Sequence, residues 1–384
     1  MSAGPAPEPP VVLDDAGLPV ERPHSVGRRI VSGLLSYGVV VLALWYLFRQ
    51  LAGDDVSSAL SLITGPMLLA SVVLGVVNLA TNWPPIAVAL PGLRLREAAV
   101  TNTASAALSN TVPEGGAVAT GLNFAMLRSW GFTLGDVTSE VLVTGTWSQL
   151  MKYVLLTVGL VAVVVQGWAP DGTGWWALAL GVLVAIAIVL LGLVLRSARF
   201  AGRLGAWCDA VAARVRRRFR RTPDPGLTDG LPLFRTRMVG LLRLCWGRLT
   251  VTMLVSQLTV VAVLGACVRM QGLDQSTISW AVILVAWGLV TFASLLVPTP
   301  GGLGVAEVVL VGVLGYGLPS ADQPAVLAAV VLYRIATFLV PIPIGLVTYL
   351  YWRRSTSWRR PAGSRGPSAG AAAPDDAPVA GAAG

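Results

Sequence analysis

Six apolar runs, most about twenty residues long, constrain this chain more than any other feature. They fall at 30–48, 67–90, 137–165, 175–195, 249–268 and 325–351. A helix needs about 20 apolar residues to cross ~30 Å of hydrocarbon, so each run reads as a membrane-spanning helix. The charged fraction is 12%, against about 25% in soluble domains. The expected fold is all-α, a polytopic membrane protein. The first run, Ile30–Phe48, is too long for a signal-peptide core and has no convincing small-residue cleavage site, so it reads as a retained helix.

Orientation follows from where arginine accumulates. Of the 28 basic residues only Lys152 is lysine. With the N-terminus in the cytoplasm, 24 arginines fall on the inner side, and only Arg49 and Arg269 fall outside. Positive charge is retained on the cytoplasmic face, so both termini are placed inside. Residues 1–27, rich in proline and polar groups, form an expected disordered leader, and 353–384 an expected disordered tail. Between them, 28–352 is one transmembrane domain with a basic cytoplasmic segment at 196–248. Within that segment, Phe200, Leu204, Trp207, Val211, Val215 and Phe219 recur every three or four residues. Over 196–221 this describes either an amphipathic helix on anionic inner-leaflet lipids or a plain positive-inside loop. No aromatic–basic interleaving or nucleic-acid motif accompanies the charge. Cys208, Cys245 and Cys267 have neither an even count nor a metal spacing, so no disulfide framework, metal site or cofactor is expected.

Two weaker apolar pairs, 98–127 and 277–317, are interrupted. The first carries NTVPEGGAVATG (110–121), the second VPTPGGLGVAE (297–307). Aligned on Gly115–Gly116 and Gly301–Gly302, the two stretches lie 186 residues apart, and the same offset pairs Gly131 with Gly317 and Asp136 with Asp322. The first hairpin begins and ends inside and the second outside. This is the pattern of an inverted-topology repeat, about 67–166 and 249–351. Pro113, Pro298 and Pro300 remove backbone donors, while Gly115, Gly116, Gly301, Gly302 and Gly304 permit left-handed turns. Broken backbone at membrane depth survives only inside protein or beside a wet cavity. The half-helix after each break offers free N–H groups to an anion. Two arrangements fit: six full spans plus two re-entrant hairpins, or eight full spans with the breaks at the surface.

Charges within apolar runs mark the candidate site, because a buried Arg or Lys costs about 2.5–3.5 kcal/mol on insertion scales. Arg334 sits in the last long run and Lys152 in the third. Glu114 and Glu307 lie at or just past the breaks, and Glu140 lies early in the third run. Two cations with half-helix N-termini would suit a phosphate, Arg334 binding it in bidentate fashion. The other reading is a structural ion pair such as Arg334–Glu307.

The quoted motifs, with LYRIATFLVPIPIGL (332–346), resemble the lysylphosphatidylglycerol synthase transmembrane-region family over roughly 30–352. The Pro-x-Pro-Gly-Gly-x-Gly-x-x-Glu stretch and the Tyr333–Arg334 pair are its most specific parts. In the first motif Pro113, Gly115, Gly116 and Arg128 fit, while Glu114 precedes the glycines instead of following them. The resemblance implies handling of phospholipid or glycolipid in a bacterial plasma membrane, without the soluble aminoacyl-transferase of the bifunctional members. The expected function is a lipid translocase, the headgroup met by Arg334, Glu307, Lys152, Tyr333, Arg128, Glu114 and Glu140. The alternative is an accessory scaffold for a separate lipid-modifying enzyme. No catalytic motif is present, so no enzymatic chemistry is expected.

Overall fold

The computed structural model describes residues 53–112, 115–168, 173–197, 199, 203, 227–296, 300–361 and 363–365, with backbone alone at 53–56 and 227–244. The leader, the run 30–48, Pro113, Glu114, Pro298, most of the Arg-rich stripe at 196–221 and residues 366–384 lie outside the described residues. Every regular element among those described is helical.

The helices are α1 (Gly53–Ser61), α2 (Gly65–Thr81), α3 (Trp83–Ala89), α4 (Leu95–Thr111), α5 (Gly115–Ser129), α6 (Leu134–Val165) and α7 (Thr173–Arg196). They continue as α8 (Leu227–Met270), α9 (Trp280–Leu296), α10 (Val305–Leu314), α11 (Gln323–Arg334) and α12 (Pro341–Arg354). Four stretches are long and apolar enough to span: Gly65–Ala89, Leu134–Val165, Cys245–Met270 and Ser320–Arg354. Three shorter apolar helices accompany them, Leu178–Leu190, Trp280–Ser294 and Val305–Leu314. The expected run 175–195 forms α7. The pair α4–α5 is too polar to be among the spans, yet α4 is enclosed by protein along most of its length.

The last expected span, 325–351, is not one continuous helix. Pro341 and Pro343 lack the N–H groups that an α-helix would aim at Thr337 and Leu339, and a proline ring collides with the carbonyl four residues back. The chain relaxes into a π turn over Ile335–Leu339, where Val340 N–H donates to Ile335 O at 3.0 Å. Wide turns of this kind leave neighbouring carbonyls open to other partners.

Two apolar clusters organise the bundle. One joins α8, α9, α10 and α11 through Val263, Leu264, Ile283, Leu310, Val326 and Leu332. The other gathers Leu90, Met126, Leu127, Trp130, Phe132 and Val137 under the α4–α5 hairpin. Leu69, Val73 and Val77 on α2, Val158, Val161 and Val165 on α6, and Leu346 and Val347 on α12 point outward, as lipid-facing side chains do. Without a hydrophobic drive between helices in lipid, close approach of small residues supplies the packing. Gly345 of α12 lies directly on Thr103 and Ala107 of α4, and Gly75 of α2 on the backbone of Ala336 in the π turn.

The tail expected to be disordered from 353 onward folds back where it is described. Arg360 N–H donates to Ser129 O, and Gly363 and Arg365 N–H both donate to Gly131 O, at 2.9–3.1 Å. The Arg365 guanidinium meets both oxygens of the buried Glu97 at 2.9 and 3.0 Å. Trp358 stacks edge-on to Trp130 and lies under Arg96. Low complexity predicts little structure by itself, but the buried carboxylate of Glu97 provides an anchor that composition does not register.

Candidate site where the two helix breaks meet

The second break is built from glycine. Gly301, Gly302 and Gly304 have φ of 53°, 70° and 81°, the left-handed region in which a side chain is strained. Pro300–Gly302 form one 3₁₀ turn, and α10 starts at Val305. Three residues after Gly304, Glu307 bends back and its Oε2 accepts the Gly304 N–H at 2.7 Å. The positive end of α10 is therefore occupied by the chain's own carboxylate. Of the N–H groups expected to be free for an anion at this break, the chain itself thus takes up that of Gly304, through half of a capping box.

The second oxygen of Glu307 reaches Arg334. Nε and Oε1 are 2.7 Å apart, a close ion pair without the alignment of a hydrogen bond. The guanidinium also donates from Nη2 to Gly301 O at 3.0 Å and lies 4.9 Å from the centre of the Phe338 ring. Its two side-chain partners come from α10 and the π turn, and the carbonyl comes from the break itself. Both members of the pair are about 15% exposed, 15% for Arg334 and 14% for Glu307. The charge is thus held at a partly open position by three different kinds of acceptor.

The first break arrives at the same place. Gly115 opens α5 against the backbone of Leu108 and Ser109, leaving no room for a β-carbon. Just before that turn, Asn110 Nδ2 donates to Phe338 O at 3.0 Å, a carbonyl in the π turn. Asn110 Oδ1 and the Phe338 ring both press on Gly301. Asn110, Gly301, Phe338 and Arg334 therefore form one junction of the two breaks. Neither Asn110 nor Phe338 was among the residues expected from sequence. Asn110 had a signal, as the last polar residue of a span too polar for lipid, whereas Phe338 had none.

The other expected residues sit elsewhere. Tyr333 is buried in the apolar cluster with Leu332 and Ala336. Arg128 lies in the last turn of α5, half-buried. Glu140 is buried on α6, where Thr144 Oγ1 donates to it at 3.2 Å and Asn123 Nδ2 at 3.4 Å. Lys152 is half-buried near the middle of α6. Gly116 opens α5 beside Gly115 and has open space where a side chain would be.

Long apolar helices, a bundle interrupted at two glycine turns and a charged pair enclosed where those turns meet define a polytopic helical membrane protein with an internal polar site. Residues 33–345 match the family described as lysylphosphatidylglycerol synthase TM region, and the chain belongs to that family. No curated protein matches the sequence.

Proposed function

We propose that the chain is a lipid translocase that moves an anionic phospholipid or glycolipid between the leaflets of a plasma membrane. The observation carrying this reading is the Arg334–Glu307 pair at the junction of the two breaks. Membership of a lipid-synthase transmembrane family supports a lipid as cargo.

The two halves act as an inverted-topology repeat in this reading. Shifted by the 186-residue offset, α4 would cover 281–297, and α9 covers Trp280–Leu296. Gly131 and Gly317, paired by the same offset, both have positive φ, 95° and 74°. Both hairpins are re-entrant, their tips meeting inside the bundle, and both termini face the cytoplasm. Polar sites of transporters are commonly built where such broken helices meet.

Arg334 is the anchor and Glu307 its resting counter-ion. Removing one partner of a buried pair costs about 3–5 kcal/mol, so the guanidinium is not vacated but transferred. A headgroup phosphodiester replaces Oε1 of Glu307 on Arg334, offering oxygen acceptors of the same charge. Glu307 stays on the Gly304 N–H during the exchange and recaptures Arg334 when the lipid leaves. Such an exchange has a small net free energy, which a carrier needs if it is to release what it binds. The chain's own residues supply binding and passage, with no covalent step.

The test is lipid movement in proteoliposomes. Headgroup-labelled phosphatidylglycerol and a zwitterionic control are followed by quenching, with wild type compared against Arg334→Gln. Movement that prefers the anionic lipid and is lost in the variant supports the translocase. Equal movement in folded Arg334→Gln protein removes the anchor role, and no movement of either lipid by wild type argues against translocation.

A further inference from the structure

Resting on the translocase reading, we infer that Lys152 is the entry anchor of the same site. It is the first cation to meet the headgroup, and it selects lipids whose headgroup phosphodiester carries no compensating cation, so that the net charge is −1, over zwitterions.

The charged residues that matter here, within or at the breaks of the described apolar helices, are Glu140, Lys152, Glu307 and Arg334. Arg334 is neutralised by Glu307. Glu140 has only Thr144 and Asn123 as partners. Among the described residues Lys152 has neither a carboxylate nor a hydrogen-bond acceptor within reach. Among the described residues, Arg334 is therefore neutralised by Glu307 and Lys152 by no carboxylate.

Lys152 cannot escape to water along the helix. It stands 18 residues after Leu134 and 13 before Val165, the ends of α6. At 1.5 Å per residue those are about 27 and 20 Å, beyond a four-carbon stem. Its stretch of α6 is neither packed shut nor open to lipid. From Thr146 to Val154 all nine residues are half-buried, none fully buried and none exposed. Lipid-facing stretches of α6 instead alternate, as with exposed Val158 and Val161 beside buried Leu155, Leu156 and Leu160. One turn below, Gln257 Nε2 donates to Ser148 Oγ at 3.2 Å, extending a neutral polar lining towards α8.

Register places this charge beside the break. Gly288 of α9 lies against Leu156 and Gly159 of α6 against Leu284 and Val285, so the two helices run antiparallel. One turn back, Lys152 is level with Thr291 and Phe292, and Ser294 touches Gly302 of the break. Two or three residues separate those levels, about 4 Å along the axis. An anion held by Lys152 is thus at the depth of the Gly301–Gly304 turn, from which Arg334 is the next donor.

Tail-labelled phosphatidylglycerol and phosphatidylcholine, titrated by anisotropy against the purified full chain in neutral detergent, test this directly. Wild type is expected to prefer phosphatidylglycerol at least tenfold. Lys152→Gln should reduce the preference below about twofold, and Lys152→Arg should keep it. Because no partner is orphaned, Lys152→Gln should unfold at the same temperature as wild type or higher. A retained preference in Lys152→Gln overturns the proposal, as does no preference in wild type, or loss of both lipids with a lowered unfolding temperature. Proteoliposomes separate the two readings. Unchanged, still selective movement by Lys152→Gln removes the anchor and leaves the translocase. Lys152-dependent binding without any movement keeps the anchor and removes the translocase.

Discussion

Asn110 and Phe338, 228 residues apart, are joined by a 3.0 Å hydrogen bond from the side-chain amide of one to the backbone carbonyl of the other. That carbonyl lies in the π turn just before Pro341. The bond ties the tip of the first hairpin to the turn that follows Arg334. Asn110→Ala should lower stability by about 1–3 kcal/mol, the cost of a lost bond plus an orphaned carbonyl. Asn110→Asp should do no better, since a carboxylate cannot donate. Thermal unfolding in detergent measures both, and a neutral Asn110→Ala would show that the bond does not hold the junction.

The Arg334–Glu307 pair should behave as a coupled unit. Glu307→Gln retains an oxygen for the Gly304 N–H but strands the guanidinium, for about 3 kcal/mol, the lower end for buried pairs because both side chains are partly exposed. Glu307→Ala should cost more, since the end of α10 loses its cap as well. Combining Glu307→Gln with Arg334→Gln should restore much of the loss. A double-mutant cycle with additive losses would contradict a direct pairing.

Glycine positions divide sharply. Gly345→Ala drives a methyl group into Thr103 and Ala107 of α4, and Gly115→Ala drives one into the backbone of Ser109. Each should destabilise by about 1–3 kcal/mol through overpacking. Gly116→Ala meets nothing within 4 Å and should be neutral or stabilising, by up to about 1 kcal/mol of helix propensity. Yield of monodisperse protein and unfolding temperature give the ranking, and an intolerant Gly116 beside a tolerant Gly345 would refute it.

The folded-back segment 359–365 should act as a clamp on the first hairpin. Arg365→Gln removes the cation paired with Glu97, whose side chain is 3% exposed, and should cost about 3 kcal/mol locally. Hydrogen exchange should accelerate in 95–99 and 129–132, with little change around Gly301–Glu307. Uniform acceleration across the bundle would mean that the clamp supports the whole fold.

Much of the architecture was legible because lipid imposes local rules. Length and hydropathy marked 67–90, 137–165 and 249–268 as spans, and each lies within a helix or helix pair. The breaks were legible because proline and glycine act on their own backbone, and the positive φ of Gly301, Gly302 and Gly304 bears this out. The interruption of 325–351 was legible in principle from Pro341 and Pro343, but hydropathy averages over such residues. Tyr333 shows the limit of adjacency: it neighbours Arg334 in sequence, yet the helical turn sends it into the apolar cluster.

By itself the sequence determined that the chain is a helical membrane protein, where proline and glycine interrupt its apolar runs and which charges fall within them. These follow from each residue's own solvation and backbone preferences. Only the tertiary structure decided that Glu307 both caps α10 and holds Arg334, that Asn110 reaches Phe338, and that Lys152 meets no carboxylate among the described residues. Partner choice depends on which faces of distant helices come within about 3 Å, the range over which hydrogen bonds form. That is fixed by packing between helices and not by the composition of any one of them.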